Sequence, residues 1–179
     1  MNTVEIRNAL VKGLCGYLGG DIPVYRGGQT SGEQDLPYVI YTVMAVNAGG
    51  NTLGHYSVRG KGDRAEEIRE EQVSLTVSFT ACSQNRTDAL GNYIQGEDEA
   101  QEIAERVHGW FTHAGYDYFT KCGIVIAGVT EVRGRNALAG NEEANRKGFD
   151  VTCNYISTVS RDVASVERVN IRREKGGKG

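Results

Sequence analysis

Glycine is the residue type that first suggests a ligand site, because the chain has 24 glycines among its 179 residues. Gly27 and Gly32 have the spacing found in a phosphate-binding loop. The residue that follows is Glu33, however, where such a loop needs a lysine to neutralise the phosphates. The glycine clusters at 49–50 and 60–62 are not followed by a helix whose amino terminus could receive a phosphate, so they are interpreted as flexible loops. No cofactor is expected.

A metal site requires several histidine, cysteine or carboxylate ligands that converge on one point. The three histidines are His55, His108 and His113. The last two are five residues apart, a spacing that does not place side chains on one face of a helix. No metal is expected, and the histidines are interpreted as structural or solvent-exposed residues.

The cysteines also lack the spacing of a chemical site. They are far apart in the sequence, with no CxxC pair, and each lies in or beside a segment that is predicted to form part of the core. We interpret them as small buried apolar residues rather than as disulfide or metal ligands. They are Cys15, Cys82, Cys122 and Cys153.

The sequence also gives no sign of a catalytic acid or nucleophile. The chain has no GxSxG turn, and no serine or cysteine has a context that suggests activation. A run of carboxylates is interleaved with basic residues, which is typical of a solvated or subunit-facing surface. The run contains Glu66, Glu67, Glu70 and Glu71, beside Lys61, Arg64 and Arg69. Enzymatic activity is therefore not expected.

Composition places the chain among ordinary globular domains, with 39% hydrophobic residues, 24% charged residues and a formal net charge of -3. Sequence-specific DNA binding usually needs an excess of basic residues, so it is not expected. A slightly acidic surface is compatible with DNA sliding past it. No apolar run is long enough to cross a bilayer, and Glu5 and Arg7 lie where a signal peptide would be apolar, so a cytosol-like compartment is expected.

The elements that must position any functional residue are two helices and several strands. Apolar residues at four-residue spacing predict an amphipathic helix over 4–18, with Asn2 and Glu5 in the arrangement of a capping box. A second helix is predicted over 98–113. An additional helical turn is considered at 89–94.

Strands are predicted from β-branched runs and from strict alternation of apolar and polar residues. Antiparallel alternation, rather than regular βαβ units, favours an α+β fold: one domain with a mostly antiparallel sheet and two main helices packed on one face. The predicted strands are 22–25, 38–46, 73–81, 123–132, 148–156 and 166–171.

Long extended loops complete the predicted domain, which spans residues 1–172, followed by a flexible tail at 173–179. Segment 47–70 lacks any periodicity and combines glycines with charges of both signs, which is typical of a functional or mobile loop. A second loop, rich in glycine and charge, lies between the strands at 123–132 and 148–156.

Several blocks of the sequence resemble the neck-terminator or tail-terminator-like family of bacteriophages over residues 22 to 160. The resemblance consists of a charged lead into an alternating strand, a helix that ends in Trp-Phe, an Arg-rich turn, a Phe-Asp-Val strand and a Leu-Pro-Tyr entry into a buried strand. In this sequence the blocks are EEQVSLTVSFTACS, DEAQEIAERVHGWF, GIVIAGVTEVRGRNAL, NRKGFDVTCNYI and PVYRGGQTSGEQDLPYVIYTV.

The resemblance implies a structural virion protein that is assembled in the host cytoplasm and located in the neck of a long-tailed phage. Such proteins form six-fold homohexameric rings at the head-proximal end of the tail. They stop polymerisation of tail-tube and sheath subunits, contact head-tail connector proteins, and let genomic DNA pass through the ring. A head-closure or connector protein remains an alternative, and an enzyme with an unrecognised site is a third.

A ring requires head-to-tail contacts that close, and long loops that reach a neighbouring copy can supply them. We hypothesise that segment 47–70 is such an arm, disordered in the free monomer, and that its charges pair across subunits: Arg59, Lys61, Arg64, Glu66 and Glu67. Arg133 and Arg135, together with residues 141–146, are candidates for a second contact near the lumen or a neighbour. An exposed hairpin loop without a partner remains an alternative there.

Overall fold

A computed structural model describes residues 1–28, 35–48, 54–61, 64–135 and 145–164 of the chain. The helices are α1 (Thr3–Leu18), α2 (Gly96–Gly109), which continues into a π-helical turn (Trp110–Ala114), and α3 (Tyr116–Lys121). The strands are β1 (Val24–Arg26), β2 (Tyr38–Ala48), β3 (His55–Lys61), β4 (Arg64–Ser83), β5 (Arg86–Thr87), β6 (Tyr93–Ile94), β7 (Val125–Val129), β8 (Arg133–Gly134) and β9 (Asn145–Ala164).

The main sheet has the strand order β1-β2-β4-β9-β7, with β3 also paired to β4 and β8 also paired to β9. Only the short β1–β2 pair is parallel, and the other pairs are antiparallel. Strands β5 and β6 form a separate small ribbon. The predicted α+β class with a mostly antiparallel sheet is therefore confirmed.

The core lies between the helices and one face of the sheet. On β4 that face carries the alternating residues Val73, Leu75, Val77, Phe79 and Ala81, as the sequence predicts. Ile6, Leu10, Leu14 and Leu18 of α1 and Ile103 and Val107 of α2 belong to the same buried cluster. Phe79 is at its centre, with ring centroids 4.8 Å from Phe111 and 6.1 Å from Phe149.

Helix α1 begins as its sequence predicts. The Asn2 side chain accepts a hydrogen bond from the Glu5 backbone N–H at 2.9 Å, and the Asn2 backbone N–H donates to the Glu5 carboxylate at 3.0 Å, which confirms the capping box. Tyr118 fixes the helix to α3, because its hydroxyl donates to the Ala9 carbonyl at 2.8 Å.

The second helical region is longer and more irregular than its sequence predicts. Gly115 ends the π-helical turn, and α3 follows directly. The helical turn considered at 89–94 is wrong. Asp88 accepts hydrogen bonds from the backbone N–H groups of Leu90 and Asn92, a local turn that competes with helix, and Tyr93 enters strand β6.

A charged cluster joins the start of α2 to the end of β4. Arg86 donates two hydrogen bonds to the Glu99 carboxylate, at 2.6 and 2.8 Å, and the buried Ser83 hydroxyl also donates to it. The hydrogen bonds from Arg86, assisted by Ser83 and by the Arg86 charge, lower the pKa of Glu99 although partial burial acts in the opposite direction. Helix and strand are therefore joined by charge-assisted bonds.

The prediction that segment 47–70 is an irregular loop is wrong for its described part. Residues 55–61 form β3, and β4 begins at Arg64, nine residues earlier than the alternation in the sequence predicts. Alternation of apolar and polar residues indicates that one face of a strand is buried. The first part of β4 forms a strand for another reason, because its backbone pairs with β9, which continues to Ala164. Exposed strands of this kind leave no apolar period in the sequence.

Three other predictions lie wholly or partly outside the described residues. These are the strand at 166–171, the tail at 173–179 and most of the loop between β8 and β9, of which residues 136–144 are not described. The predicted strand at 148–156 is found within the longer β9, whereas β7 occupies only residues 125–129 of the strand predicted at 123–132.

Replacing Gly148 by alanine is expected to cost about 1–3 kcal/mol, because overpacking a close approach forces shifts. An added Cβ would lie 2.6 Å from the Phe79 carbonyl oxygen and 2.8 Å from Cδ of Arg135. Gly134 pairs with the residue next to Gly148, and its Cβ would have no neighbour within 4 Å. Thermal unfolding of Gly148→Ala and Gly134→Ala provides the comparison, and equal melting temperatures would contradict the close approach.

Candidate assembly surface

The sheet extends beyond its core as a three-stranded arm. We define the arm as β3 (residues 55–61), the first part of β4 (64–72) and the end of β9 (156–164). None of the described arm side chains is buried, whereas the core face of β4 is buried from Val73 onwards. Nine residues of β4 correspond to an extension of roughly 30 Å. Both faces of the arm are open to solvent along this length.

Register within the arm determines which side chains share a face. Tyr56, Arg69 and Val159 are partners across the strands, as are Val58, Glu67 and Arg161. These residues continue the face that carries the core further along β4. The opposite face carries Arg59, Glu66 and Asp162, again as partners in one row.

Ionic and aromatic contacts hold the arm strands together. The Arg161 guanidinium donates to the Glu67 carboxylate at 2.7 Å, which links β9 to β4. The Arg69 guanidinium lies 6.0 Å from the centre of the Tyr56 ring and 2.7 Å from the Glu71 carboxylate. Such contacts are largely exposed and stabilise weakly. The arm has no hydrophobic interior of its own.

Apolar side chains on the arm have no cover within the described residues. Val58 is 67% exposed, Val159 is 63% exposed and Tyr56 is 48% exposed, and all three share the core-side face of the arm. Exposed apolar clusters of this kind mark interaction surfaces. Tyr56 and Val58 lie in the segment predicted to be a loop, and Val159 lies beyond the end of the strand predicted at 148–156. Tyr56 and Val58 alternate with polar neighbours, but two apolar residues are too few to establish a period.

The charged residues that the sequence analysis placed at an interface lie in the arm. Arg59 and Lys61 are on β3, and Arg64, Glu66 and Glu67 are on β4. Backbone register brings Arg59 opposite Glu66 and Lys61 opposite Arg64. Glu67 pairs within the chain, with Arg161 of β9. Whether any of them contacts a second copy stays a prediction.

Arg133 and Arg135, the other predicted interface residues, differ from each other in environment. Arg133 is highly exposed and pairs with Glu131 at 3.1 Å. Arg135 lies across the polar face of the sheet, where it donates to Asp150 at 2.8 Å and to the Ser78 hydroxyl. Burial raises the pKa of Asp150, but the hydrogen bonds from Arg135 and Ser78 outweigh it and lower that pKa overall. Arg135 thus has an intrachain role.

The residues considered for chemistry do not converge among the described parts of the chain. His108 packs edge-on against Phe149, with ring centroids 5.1 Å apart, while His55 and His113 are exposed. No group of three or more potential metal ligands occurs among the described residues. No helix among them combines the length and apolar character needed to cross a membrane.

The cysteines only partly match their interpretation as buried residues. Cys82 and Cys153 are buried in the sheet, and burial raises the pKa of the Cys153 thiol to about 11. Cys122 is half-buried. Cys15 is exposed, so its interpretation as a core residue is wrong: α1 turns the position away from the stripe that includes Leu14 and Leu18.

A groove of about 680 Å³ lies between β7 and the helices that follow α2. Its walls are mainly apolar, with Phe111, Phe119, Ile126 and Val129 among them, and His113 is the titratable imidazole at its rim. A single exposed histidine in an apolar groove offers neither a paired acid and base nor an activated nucleophile. The groove therefore gives no support to an enzyme.

Comparison with known proteins identifies the family of the chain. A search among curated proteins finds no match to the chain. The sequence model of the family described as phage neck terminator protein matches residues 6–177, which includes the arm, the helices and the whole described sheet. A match of this extent covers nearly the entire chain, and the chain is therefore a member of the phage neck terminator family, with a structural role in the neck of the virion.

Proposed function

We propose that the protein forms a homohexameric ring at the head-proximal end of a phage tail, where it stops growth of the tail tube and sheath and provides the surface for head-tail joining. DNA passes through the ring without sequence-specific contact. The observation that carries the proposal is the arm: an extended sheet with exposed apolar residues in a family of neck proteins. Such a projection can supply the head-to-tail contacts that close into a ring.

The charge of the chain agrees with passage of DNA. The formal net charge is -3, and several of the described arginines are paired with carboxylates of the same chain. Arg86 pairs with Glu99, Arg135 with Asp150 and Arg161 with Glu67. Paired guanidinium groups release few counterions from DNA, so a duplex is not held in place. The protein acts through its surfaces rather than through catalysis.

Replacing the arm hairpin, which is β3 and the arm part of β4, by a short turn is expected to abolish ring formation while the domain still folds. Ala48 and Val73 are register partners, so an Asn-Gly turn can replace residues 49–72 and join β2 to β4 directly. Removing β3 alone is a poorer design. The end of β2 would then have to be joined to the start of β4, which lies nine residues, or roughly 30 Å, away along the arm. Native mass spectrometry measures the assembly, and far-ultraviolet circular dichroism measures the fold.

Leu90→Asp is the matched control, since Leu90 is 87% exposed and lies beyond the opposite end of β4. The control is expected to assemble like the wild type and to complete infectious particles. If the protein without its arm hairpin still forms the same rings and completes particles, the arm has no role in assembly.

A head-closure or connector protein is the second candidate function. Electron microscopy of particles made without this gene separates the two. Tails of uncontrolled length are expected for a missing terminator. Tails of normal length beside unattached heads would instead assign the protein to the connector side of the neck.

A further inference from the structure

We infer that the arms of neighbouring copies join edge to edge, with β3 of one copy pairing alongside the end of β9 of the next. The inference rests on the proposed ring and adds which backbone edges close it. In a ring of this kind the arm strands become one continuous sheet. Closure of a sheet removes its free edges, which are otherwise sites of uncontrolled pairing.

Both edges of the arm are open among the described residues. Strand β4 lies in the middle of the arm, with β3 on one side and β9 on the other. On the far side of β9, β7 and β8 pair only with residues 147–154, so no described strand covers residues 156–164. Neither edge contains a proline, and neither pairing with β4 has a bulge. Two of the devices that protect edge strands, proline and β-bulges, are therefore missing at both.

The two open edges lie at the same position along the strands, on either side of β4. His55 and Thr158 are both partners of Glu70, and Arg59 and Asp162 are both partners of Glu66. A neighbour can therefore add sideways with no displacement along the strands. Head-to-tail contacts without such a displacement favour a closed ring rather than a helical filament.

The edge of β7 is a less suitable partner for β3. It lies beside residues 151–154 of β9, several residues from the level of Thr158. Each residue of offset is a shift of about 3.3 Å along the strand. Pairing at that edge would need a larger stagger in every copy than pairing at the level of Thr158.

Side chains on the two edges complement each other at this level. Sideways addition places Arg59 of one copy beside Asp162 of the next, a pair of opposite charges on one face. On the other face it places Tyr56 beside Val159, an aromatic and a β-branched residue that are both exposed in the single chain. Pairs of both kinds stabilise neighbouring strands. The new pairing is parallel, because β3 and β9 both run antiparallel to β4.

Disulfide trapping tests this register directly. Arg59→Cys and Asp162→Cys are introduced together in a chain that also carries Cys15→Ser and Cys122→Ser, which leaves only the buried native thiols. Within one chain the two positions are two strands apart, about 9.5 Å, too far for a disulfide. Between adjacent strands of two copies they are close enough. Oxidation is expected to give a ladder of covalent multimers on a non-reducing gel.

The matched control is Arg59→Cys with Arg161→Cys, since Arg161 is one residue away and on the opposite face. This pair is expected to give no ladder. Mixing the single variants Arg59→Cys and Asp162→Cys is expected to give covalent dimers only, because each copy then carries one thiol. Native mass spectrometry of the reduced proteins checks that rings are still present.

Rings without a ladder from Arg59→Cys/Asp162→Cys would overturn the edge pairing and leave the proposed ring intact. A ladder from Arg59→Cys with Ala127→Cys would overturn it in favour of the β7 edge. Absence of rings in the wild-type protein is a different result, which removes both the proposed function and this inference.

Discussion

Replacing Phe79 by alanine is expected to lower the free energy of unfolding by about 3–5 kcal/mol, the usual cost of removing a buried phenylalanine. Phe79 is 1% exposed. Its ring contacts Phe111 of the π-helical turn and Phe149 of β9, where the helices pack on the sheet. Neighbouring rings cannot fill the resulting cavity without breaking their contacts with each other. For a chain of this size, each 1 kcal/mol corresponds to a fall of roughly 2–4 °C in melting temperature.

Urea unfolding followed by circular dichroism measures this change, with the m-value as a check on two-state behaviour. Leu90→Ala is the control, since Leu90 is 87% exposed and a surface substitution of this kind changes stability by about 0.5 kcal/mol or less. A loss below about 1 kcal/mol for Phe79→Ala would mean that the aromatic cluster is not the main source of cohesion. Assembly is expected to fall in parallel, because fewer chains are folded.

Replacing Arg86 by methionine is expected to cost about 1.5–3 kcal/mol near neutral pH, the range for a lost hydrogen bond to a charged group. The Glu99 carboxylate, whose side chain is 22% exposed, would keep the Ser83 hydroxyl as a partner but lose its counter-charge. The start of α2 would then be held less firmly to the end of β4. Chemical denaturation at a series of pH values measures the effect.

The pH dependence has a definite sign. Hydrogen bonds from Arg86 hold the pKa of Glu99 below its ordinary value, so the pairing stabilises the fold above the unfolded-state pKa of about 4.3. This stabilisation is lost as the pH falls through the lower, folded-state pKa. The difference between wild type and Arg86→Met is therefore expected to shrink on acidification. A difference that stays constant down to pH values at which carboxylates are protonated would contradict a role for the Glu99 charge.

Glu97→Gln supplies the matched control for this prediction. Glu97 lies two residues before Glu99 on α2 and pairs with Lys147 at 2.8 Å, but its side chain is 56% exposed. The hydrogen bond from Lys147 lowers the pKa of Glu97, in the same direction as for Glu99. Solvent screens this pair, so its removal is expected to change stability far less than the loss of Arg86.

Residue patterns predict those parts of the fold in which burial and hydrogen bonding coincide. Helix α1 with its capping box, the positions of Val39 and Tyr41 on β2 and the alternating core of β4 all leave an apolar period or a capping signal, because one face of each is removed from water. The expectation that β2 is buried along its length is wrong, since Met44 and Val46 are exposed. The α+β class follows from the order of these elements. The blocks that resemble the neck terminator family also lie mainly in these segments, and the family match confirms that resemblance.

The arm and the role of Arg135 depend on contacts that form only in the folded chain. The arm strands are exposed on both faces, so their residues follow no apolar period, and they form because β9 pairs with β4 as far as Ala164. Arg135 is 57 residues from Ser78 along the chain, and its contact depends on Gly148 leaving room above the sheet. Pairing and contact at such distances depend on where the folded backbone brings segments together, which local residue patterns do not encode.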